Sequence, residues 1–299
     1  GGGNWNIPVV VLSAKEDLGG GLKAAATLEG SFNAGNGTQA NCGVCGGNSS
    51  LFNRQANVSI GNESATLTAG LQISPYINAS LVGLAGAPAN GSFVPALWIA
   101  TGGNLANVDG SQVSGGFWIP EAVRADVNLG IANVGVLTRT SKNGGSSYTA
   151  LGITGVSAGG LNLAYGYQKY GSTSTLNDGD GGGSPLGVTN HTLSANTAIG
   201  GVTVSALVGW HKVTDGASST GYSLSAFTPI SGALSGGLIY SDSNMEGMPS
   251  QVGVSLKYDF SKATYAYFVH NSYSDTMAVT ANSAPAGKKV SIIGLGTSF

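Results

Sequence analysis

The last ten residues, Val290-Ser-Ile-Ile-Gly-Leu-Gly-Thr-Ser-Phe299, separate by simple alternation into two unlike faces. Counting back by twos from Phe299 gives Thr297, Leu295 and Ile293, while the other phase gives Ser298, Gly296 and Gly294. Successive side chains of a strand point to opposite sides, so one face of this segment is apolar and the other is small and polar. The same division recurs upstream. Leu22, Ala24, Ala26, Leu28 and Phe32 oppose Lys23, Thr27, Glu29 and Ser31. Leu161, Leu163, Tyr165 and Tyr167 oppose Asn162, Gly166 and Gln168. Val202, Val204, Ala206, Val208 and Trp210 oppose Thr203, Ser205, Gly209 and His211, and Val252, Val254, Leu256 and Tyr258 oppose Gly253, Ser255 and Lys257. The pattern shows no helical segment to cover these apolar faces. They are therefore expected to meet lipid, where only a closed ring of strands satisfies its own backbone.

Composition narrows the choice further. Charged residues make up 9% of the 299, against about a quarter in a soluble domain. With 41% apolar residues and a net charge of −2, the chain has neither the low hydrophobicity nor the high charge of a disordered one. No run approaches the roughly 18 apolar residues of a membrane helix. Nothing in the charge distribution favours nucleic acid. Gly1-Gly-Gly-Asn lacks the regions of a secretory signal, so a processed or truncated product is expected.

Fifteen strands are expected, over 4–14, 21–32, 51–60, 64–73, 119–128, 132–140, 147–156, 160–169, 189–197, 202–213, 219–227, 232–241, 250–258, 263–273 and 288–299. Short turns between them alternate with long polar loops, the longest at 33–50, 74–120 and 171–188. That asymmetry is the one expected of a bacterial outer-membrane barrel. Trp210, Tyr240, Tyr258, Tyr265 and Tyr267 are expected in interfacial girdles.

Specific motifs carry a resemblance. Lys15-Glu-Asp-Leu-Gly-Gly-Gly-Leu-Lys-Ala24, Leu28-Glu29 and Leu51-Phe-Asn-Arg-Gln-Ala56 resemble a segment of the betaproteobacterial general porins. Ala65–Tyr76, Tyr258–Tyr267 and the terminal Phe299 also fit that family. The resemblance implies an all-β fold, a transmembrane antiparallel β-barrel of sixteen strands, assembled as a homotrimer with its third outer loop folded into the pore. Residues 1–299 are then one barrel domain in the bacterial outer membrane, surrounded by lipid and lipopolysaccharide, with loop 74–120 as the pore constriction. Family members carry one further strand before the Glu16–Leu22 hairpin. The sixteenth strand is expected either in a segment missing from this sequence or from a neighbouring chain, unless fifteen strands close the ring.

The sequence departs from the family where charge normally concentrates. Leu71 and Asn4 stand at positions where the family has arginine, so a strong anion filter is not expected. Loop 74–120 carries a single charge, Asp109, among apolar residues including Leu97 and Ile99. Those apolar residues are expected to narrow the pore by dewetting or to contact a neighbouring protein. Lys23, Glu29, Arg124, Asp126, Arg139 and Lys257 fall in the inward phase and, with Asp109, are the expected pore-lining charges. Two readings stay open for them, an ion-guiding ladder or wall residues pairing locally. Arg54 shares a phase with Ala56 and Val58 and is placed at the outer rim or beside a bulge.

Cys42-Gly-Val-Cys45 can be redox-active or half a zinc site, but no second cysteine pair exists. In an oxidising exterior, a loop disulfide between Cys42 and Cys45 is the expectation. Asp178-Gly-Asp180 lacks the spaced carboxylates of a calcium loop. No metal, cofactor or catalytic constellation is expected, and no enzyme. The functional expectation is a passive channel for small hydrophilic solutes and ions with weak charge selectivity. The alternative is a structural or surface-lattice barrel that packs against neighbouring chains and conducts little or nothing.

Overall fold

The computed structural model describes residues 9–32, 37–39, 51–85, 96–97, 99–100, 105–108, 111–113, 117–139, 147–171, 187–214, 216, 218–245, 248–274 and 289–297. The strands are β1 (Val9–Gly19), β2 (Leu22–Ser31), β3 (Gln55–Gly61), β4 (Ala65–Ile73), β5 (Leu105–Val108), β6 (Ser111–Val113), β7 (Trp118–Asn128), β8 (Asn133–Arg139) and β9 (Tyr148–Ala158). They continue with β10 (Leu161–Tyr170), β11 (Val188–Ile199), β12 (Val202–Val213), β13 (Ser218–Ser231), β14 (Leu234–Ser243), β15 (Gln251–Asp259), β16 (Thr264–Tyr273) and β17 (Lys289–Thr297). Fifteen of these strands form one antiparallel sheet in chain order, while β5 and β6 form a separate hairpin. Among the described residues β1 and β17 share no ladder, so each leaves one edge open.

Burial is inverted relative to a water-soluble protein. Large apolar side chains are exposed along the outer face, with Leu238 at 60% and Ile293 at 82%. Polar side chains such as Ser223, Ser241, Gln251 and Asn271 are buried on the inner face. A sheet with that polarity is stable only with hydrocarbon outside.

The short turns follow from glycine. Gly20-Gly21, Gly159-Gly160 and Gly200-Gly201 each place two successive residues at positive φ, the geometry of a two-residue hairpin whose twist matches its strands. At the first of these the structure moves a boundary. The first strand runs over Val9–Gly19 rather than 4–14, because the Gly20-Gly21 turn lets Lys15, Glu16 and Asp17 continue the ladder, Asp17 opposite Lys23. Likewise β13 runs over Ser218–Ser231, past the expected strand end at residue 227.

Two further expectations are corrected. The long third loop contains a helix, α1 (Pro75–Val82). Ser74 caps it by accepting a hydrogen bond from the Tyr76 amide, Pro75 occupies its first turn and Gly83 ends it. Tyr265 and Tyr267 leave the outer girdle: they share the inner phase of β16 with buried Val269 and Asn271, while Phe268 faces out. Gly294 and Gly296, opposite them on β17, provide the room, since a Cβ on either would overlap a tyrosine ring.

Candidate pore site

Helix α1 lies against the inner wall formed by β8 to β12. Its N-terminal end rests in a shallow groove made by three glycines in register, Gly135 on β8, Gly152 on β9 and Gly166 on β10. A Cβ on Gly152 would stand 2.2 Å from the Pro75 carbonyl oxygen, and one on Gly166 would stand 3.0 Å from the Tyr76 carbonyl oxygen. The helix backbone therefore touches the wall backbone, which side chains would prevent. Farther along the loop, a Cβ on Gly221 of β13 would stand 2.2 Å from the Ile99 carbonyl oxygen.

The C-terminal half of α1 is held by polar side chains that alternate along the inner face of β11. Thr192 Oγ1 lies 3.1 Å from Ser80 Oγ, Ser194 donates to the Ser80 carbonyl at 3.4 Å and Asn196 donates to the Val82 carbonyl at 2.9 Å. Two of these bonds reach carbonyls of the last turn, where Ser80 also accepts from the Gly83 amide at 3.1 Å and Val82 from the Ala85 amide at 3.5 Å. At the other end, the Tyr148 hydroxyl lies 2.6 Å from Ser74 Oγ and donates to Gln168 Oε1 at 2.8 Å. The helix is thus bonded to the wall at both ends.

Apolar packing reinforces this attachment. Tyr76, Ile77 and Leu97 are buried with Leu137, Tyr148, Ala150 and Leu207 of the wall, while Ile99 packs with Tyr273 of β16 and Val290 of β17. Leu97 and Ile99 are wholly buried. The apolar character of these loop residues is consumed by wall contact, so they neither line a dewetted gap nor face a neighbouring protein. Leu71, where the family has arginine, is buried in the same cluster.

Most of the expected lumen charges belong to local pairs. Arg124 donates from Nε and Nη2 to Asp126 Oδ1 at 2.9 and 2.6 Å, and from Nη1 to the Ile73 carbonyl at 2.9 Å. With its amide oxygen turned toward the guanidinium, Asn78 of α1 accepts from Nη1 and Nη2 at 3.2 Å. Arg124 therefore ties the root of the third loop to its own strand. Glu29 pairs with Arg54 and accepts from Gln55 Nε2 at 2.6 Å, and the Arg54 guanidinium stacks on Trp118 at 4.3 Å. Arg54 stands at the loop end of β3 with its head turned to buried Glu29, a cross-strand partnership that phase alone did not reveal. Near the short-turn end, Lys257 pairs with Asp259 at 2.7 Å and lies 4.8 Å from the Tyr265 ring centroid. Lys23 is exposed opposite Asp17, and Arg139 is buried in register with Tyr148. Asp109, Cys42, Cys45, Asp178 and Asp180 lie outside the described residues. Among the described residues, no cluster of histidine, cysteine and carboxylates fits a metal.

Two further features escaped the sequence reading, the glycine groove and the helix it seats. Ser74-Pro75 followed by Gly83 is a legible start and stop for α1, whereas the groove exists only once strand register is known.

Comparison with known proteins agrees with this architecture. Residues 3–277 match the family described as Gram-negative porin. Comparison with curated protein sequences returns no match. Among solved structures, the chain is similar to an anion-selective porin from Comamonas acidovorans at 21% identity, with a TM-score of 0.70 over 98% of this chain and 90% of that one. It is also similar to OmpF of Salmonella typhi in complex with daunomycin, at 10% identity and a TM-score of 0.67 over 98% and 91% of the two chains. The trimer form of Vibrio cholerae OmpT matches at 13% identity and a TM-score of 0.61 over 96% and 89%. The family match spans most of the sequence, and the inverted burial and folded third loop agree with it: this chain belongs to the Gram-negative porins and is a channel of the bacterial outer membrane.

Proposed function

We propose that the pore passes small hydrophilic solutes and ions by passive diffusion with weak charge preference, and that it performs no catalysis. The observation that carries this reading is the pairing of inner-face charge: Arg124 with Asp126, Arg54 with Glu29 and Lys257 with Asp259. Each pair sets opposite fields side by side, so little net potential is left to sort ions. Lys23, Glu29, Arg124, Asp126, Arg139 and Lys257 line the conduit in this reading, as Asp109 does in the third loop. A loop fastened by glycine contacts and β11 hydrogen bonds would keep the constriction at one width. Residues 1–299 act as one barrel domain, and a disulfide joins Cys42 to Cys45 in an outer loop.

The assembly is a homotrimer immersed in lipid and lipopolysaccharide, a reading supported by the likeness to trimeric OmpT. Each unsatisfied backbone group in hydrocarbon costs several kcal/mol, so the ring is completed between β1 and β17, by a further strand from this polypeptide or a neighbouring chain or by closure of the fifteen strands on themselves. Reversal potentials across a planar bilayer under a potassium chloride gradient test the selectivity. A small potential is expected, whereas one near the Nernst limit for either ion would overturn the weak-selectivity reading. Absence of conductance steps from inserted protein would overturn passage itself.

A further inference from the structure

Three pairs of inner-face charges share one spacing and one direction. Lys15 and Asp17 on β1, Arg124 and Asp126 on β7, and Lys257 and Asp259 on β15 each set a base two residues before an aspartate. Residues two apart on a strand share a face. Lys15 and Asp17 stand opposite Ala25 and Lys23, so they take the inward phase of Thr27 and Glu29 on β2. Arg124 reaches Asn78 of α1, and Lys257 and Asp259 share a phase with buried Gln251 and Ser255.

All three strands end at short turns, 20–21, 129–132 and 260–263. Asp17 and Asp126 lie two residues before their strands end, and Asp259 closes its own. In every pair the base is therefore on the loop side and the acid on the turn side. Two levels result, Lys15, Arg124 and Lys257 above Asp17, Asp126 and Asp259, roughly 5 Å apart along the axis of a tilted barrel. The pairs on β7 and β15 are bonded at 2.6 and 2.7 Å, while Asp17 also accepts from the Gly19 amide of its own turn at 2.9 Å. Lys23, opposite Asp17, offsets one carboxylate of the lower level and leaves that level net negative. Glu16, opposite Ala24, points outward, and Glu63 and Lys262 carry opposite charges in the turns beyond.

We infer that these two levels rectify the ionic current at the short-turn mouth of the pore, an inference that rests on the channel reading of the preceding section. Selectivity follows the net charge of the wall, which the pairs cancel, whereas asymmetry follows the order of charge along the path. Because the three dipoles point the same way, their axial fields add. The upper level concentrates anions and the lower level concentrates cations. With the long-loop side negative, cations pass from the acidic level toward the basic one while anions pass the other way. Both accumulate between the levels, and conductance rises. The opposite polarity draws both ions out of the same stretch and depletes it.

Current–voltage curves of single channels in planar bilayers test this, with a bulky hydrophilic tag on the 260–263 turn holding that end in the chamber of addition. A unit charge roughly 7 Å away in water is worth about the thermal energy, so about a twofold ratio between currents of opposite polarity is expected in 0.1 M potassium chloride. The larger current belongs to the polarity that makes the long-loop side negative. The ratio is expected to approach one in 1 M salt, where the screening length falls from about 10 Å to about 3 Å. The K15D/D17K/K257D/D259K variant keeps the net charge and reverses two of the three dipoles, so its asymmetry is expected to change sign. Should that variant not show heat-modifiable migration, D17N/D259N replaces it and is expected to reduce the ratio toward one. Equal currents in both polarities at 0.1 M, an asymmetry that persists at 1 M, or the same asymmetry in the folded variant overturns the inference. A symmetric channel that still conducts leaves the channel reading standing, whereas absence of conductance steps defeats that reading, so the two failures are separate results.

Discussion

Pro75 rests directly on Gly152: the loop carbonyl occupies the space that a β-carbon would need, at 2.2 Å. This contact joins the first turn of α1 to β9 and fixes how far the third loop projects from the wall. A Gly152→Ala substitution must lift Pro75 and Tyr76 or push β9 outward. Overpacking of this kind costs about 1–3 kcal/mol. The variant is expected to unfold at lower temperature in detergent and to show a smaller single-channel conductance, because the helix moves into the lumen. An unchanged conductance together with an unchanged unfolding midpoint would show that the groove does not position the loop.

Tyr148 holds the same end of the helix through its hydroxyl, which touches both Ser74 and Gln168. The side chain is completely buried and packs on Tyr170 with ring centroids 4.6 Å apart. Tyr148→Phe keeps the ring and removes only the hydroxyl, leaving buried polar partners short of a bond. A loss of about 1–3 kcal/mol is expected, read as a drop in the denaturation midpoint. Open-channel current noise should rise as the helix cap loosens. Tyr170→Phe provides the comparison for ring packing, and equal noise in both variants would deny Tyr148 its part in holding the cap.

Arg124 and Asp126 define the expected direction of a selectivity change. Arg124 spends its donors on Asp126, the Ile73 carbonyl and Asn78. Replacing it with glutamine leaves the Asp126 carboxylate without its counter-charge on the inner face. Cation preference should increase, and the reversal potential under a salt gradient should move accordingly. Asp126→Asn should move it the opposite way. If both substitutions shift the potential in the same direction, or neither does, these residues do not face the ion path.

Much of the fold was legible because the alternation is a local property. Residues such as Val204, Val208, Ser205 and Gly209 declare their faces without reference to any other strand, and the double-glycine turns mark where strands reverse. What escaped the sequence depends on cross-strand position. Tyr265 and Tyr267 read as girdle residues because β16 carries apolar side chains in both phases; only the glycines opposite them on β17 reveal room inside. Helix α1 was hidden by the premise that apolar residues must face lipid, although Ser74-Pro75 and Gly83 punctuate it clearly. Phase is read within one strand, and it does not show that Glu29 holds Arg54 or that Arg124 reaches Ile73. Pairing requires register, and register is a property of two strands at once.

The strongest physical commitment of this fold is the solvent on each side of the sheet, and one pair of substitutions tests it directly. Leu238 faces outward in the middle of β14 with 60% of its surface exposed. Its neighbour Ile239 is buried on the inner side, against the cluster that holds the third loop. In water an exposed leucine tolerates arginine at little cost. At the hydrocarbon midplane the same change costs about 2–4 kcal/mol. Leu238→Arg should therefore reduce the fraction folded into lipid vesicles, measured by heat-modifiable migration, while Leu238→Ile should leave it unchanged. Ile239→Ala should fold into vesicles but loosen the loop, raising current noise, because its loss opens a cavity inside the wall rather than placing charge in lipid. Normal vesicle folding by Leu238→Arg would mean that hydrocarbon does not bathe this face.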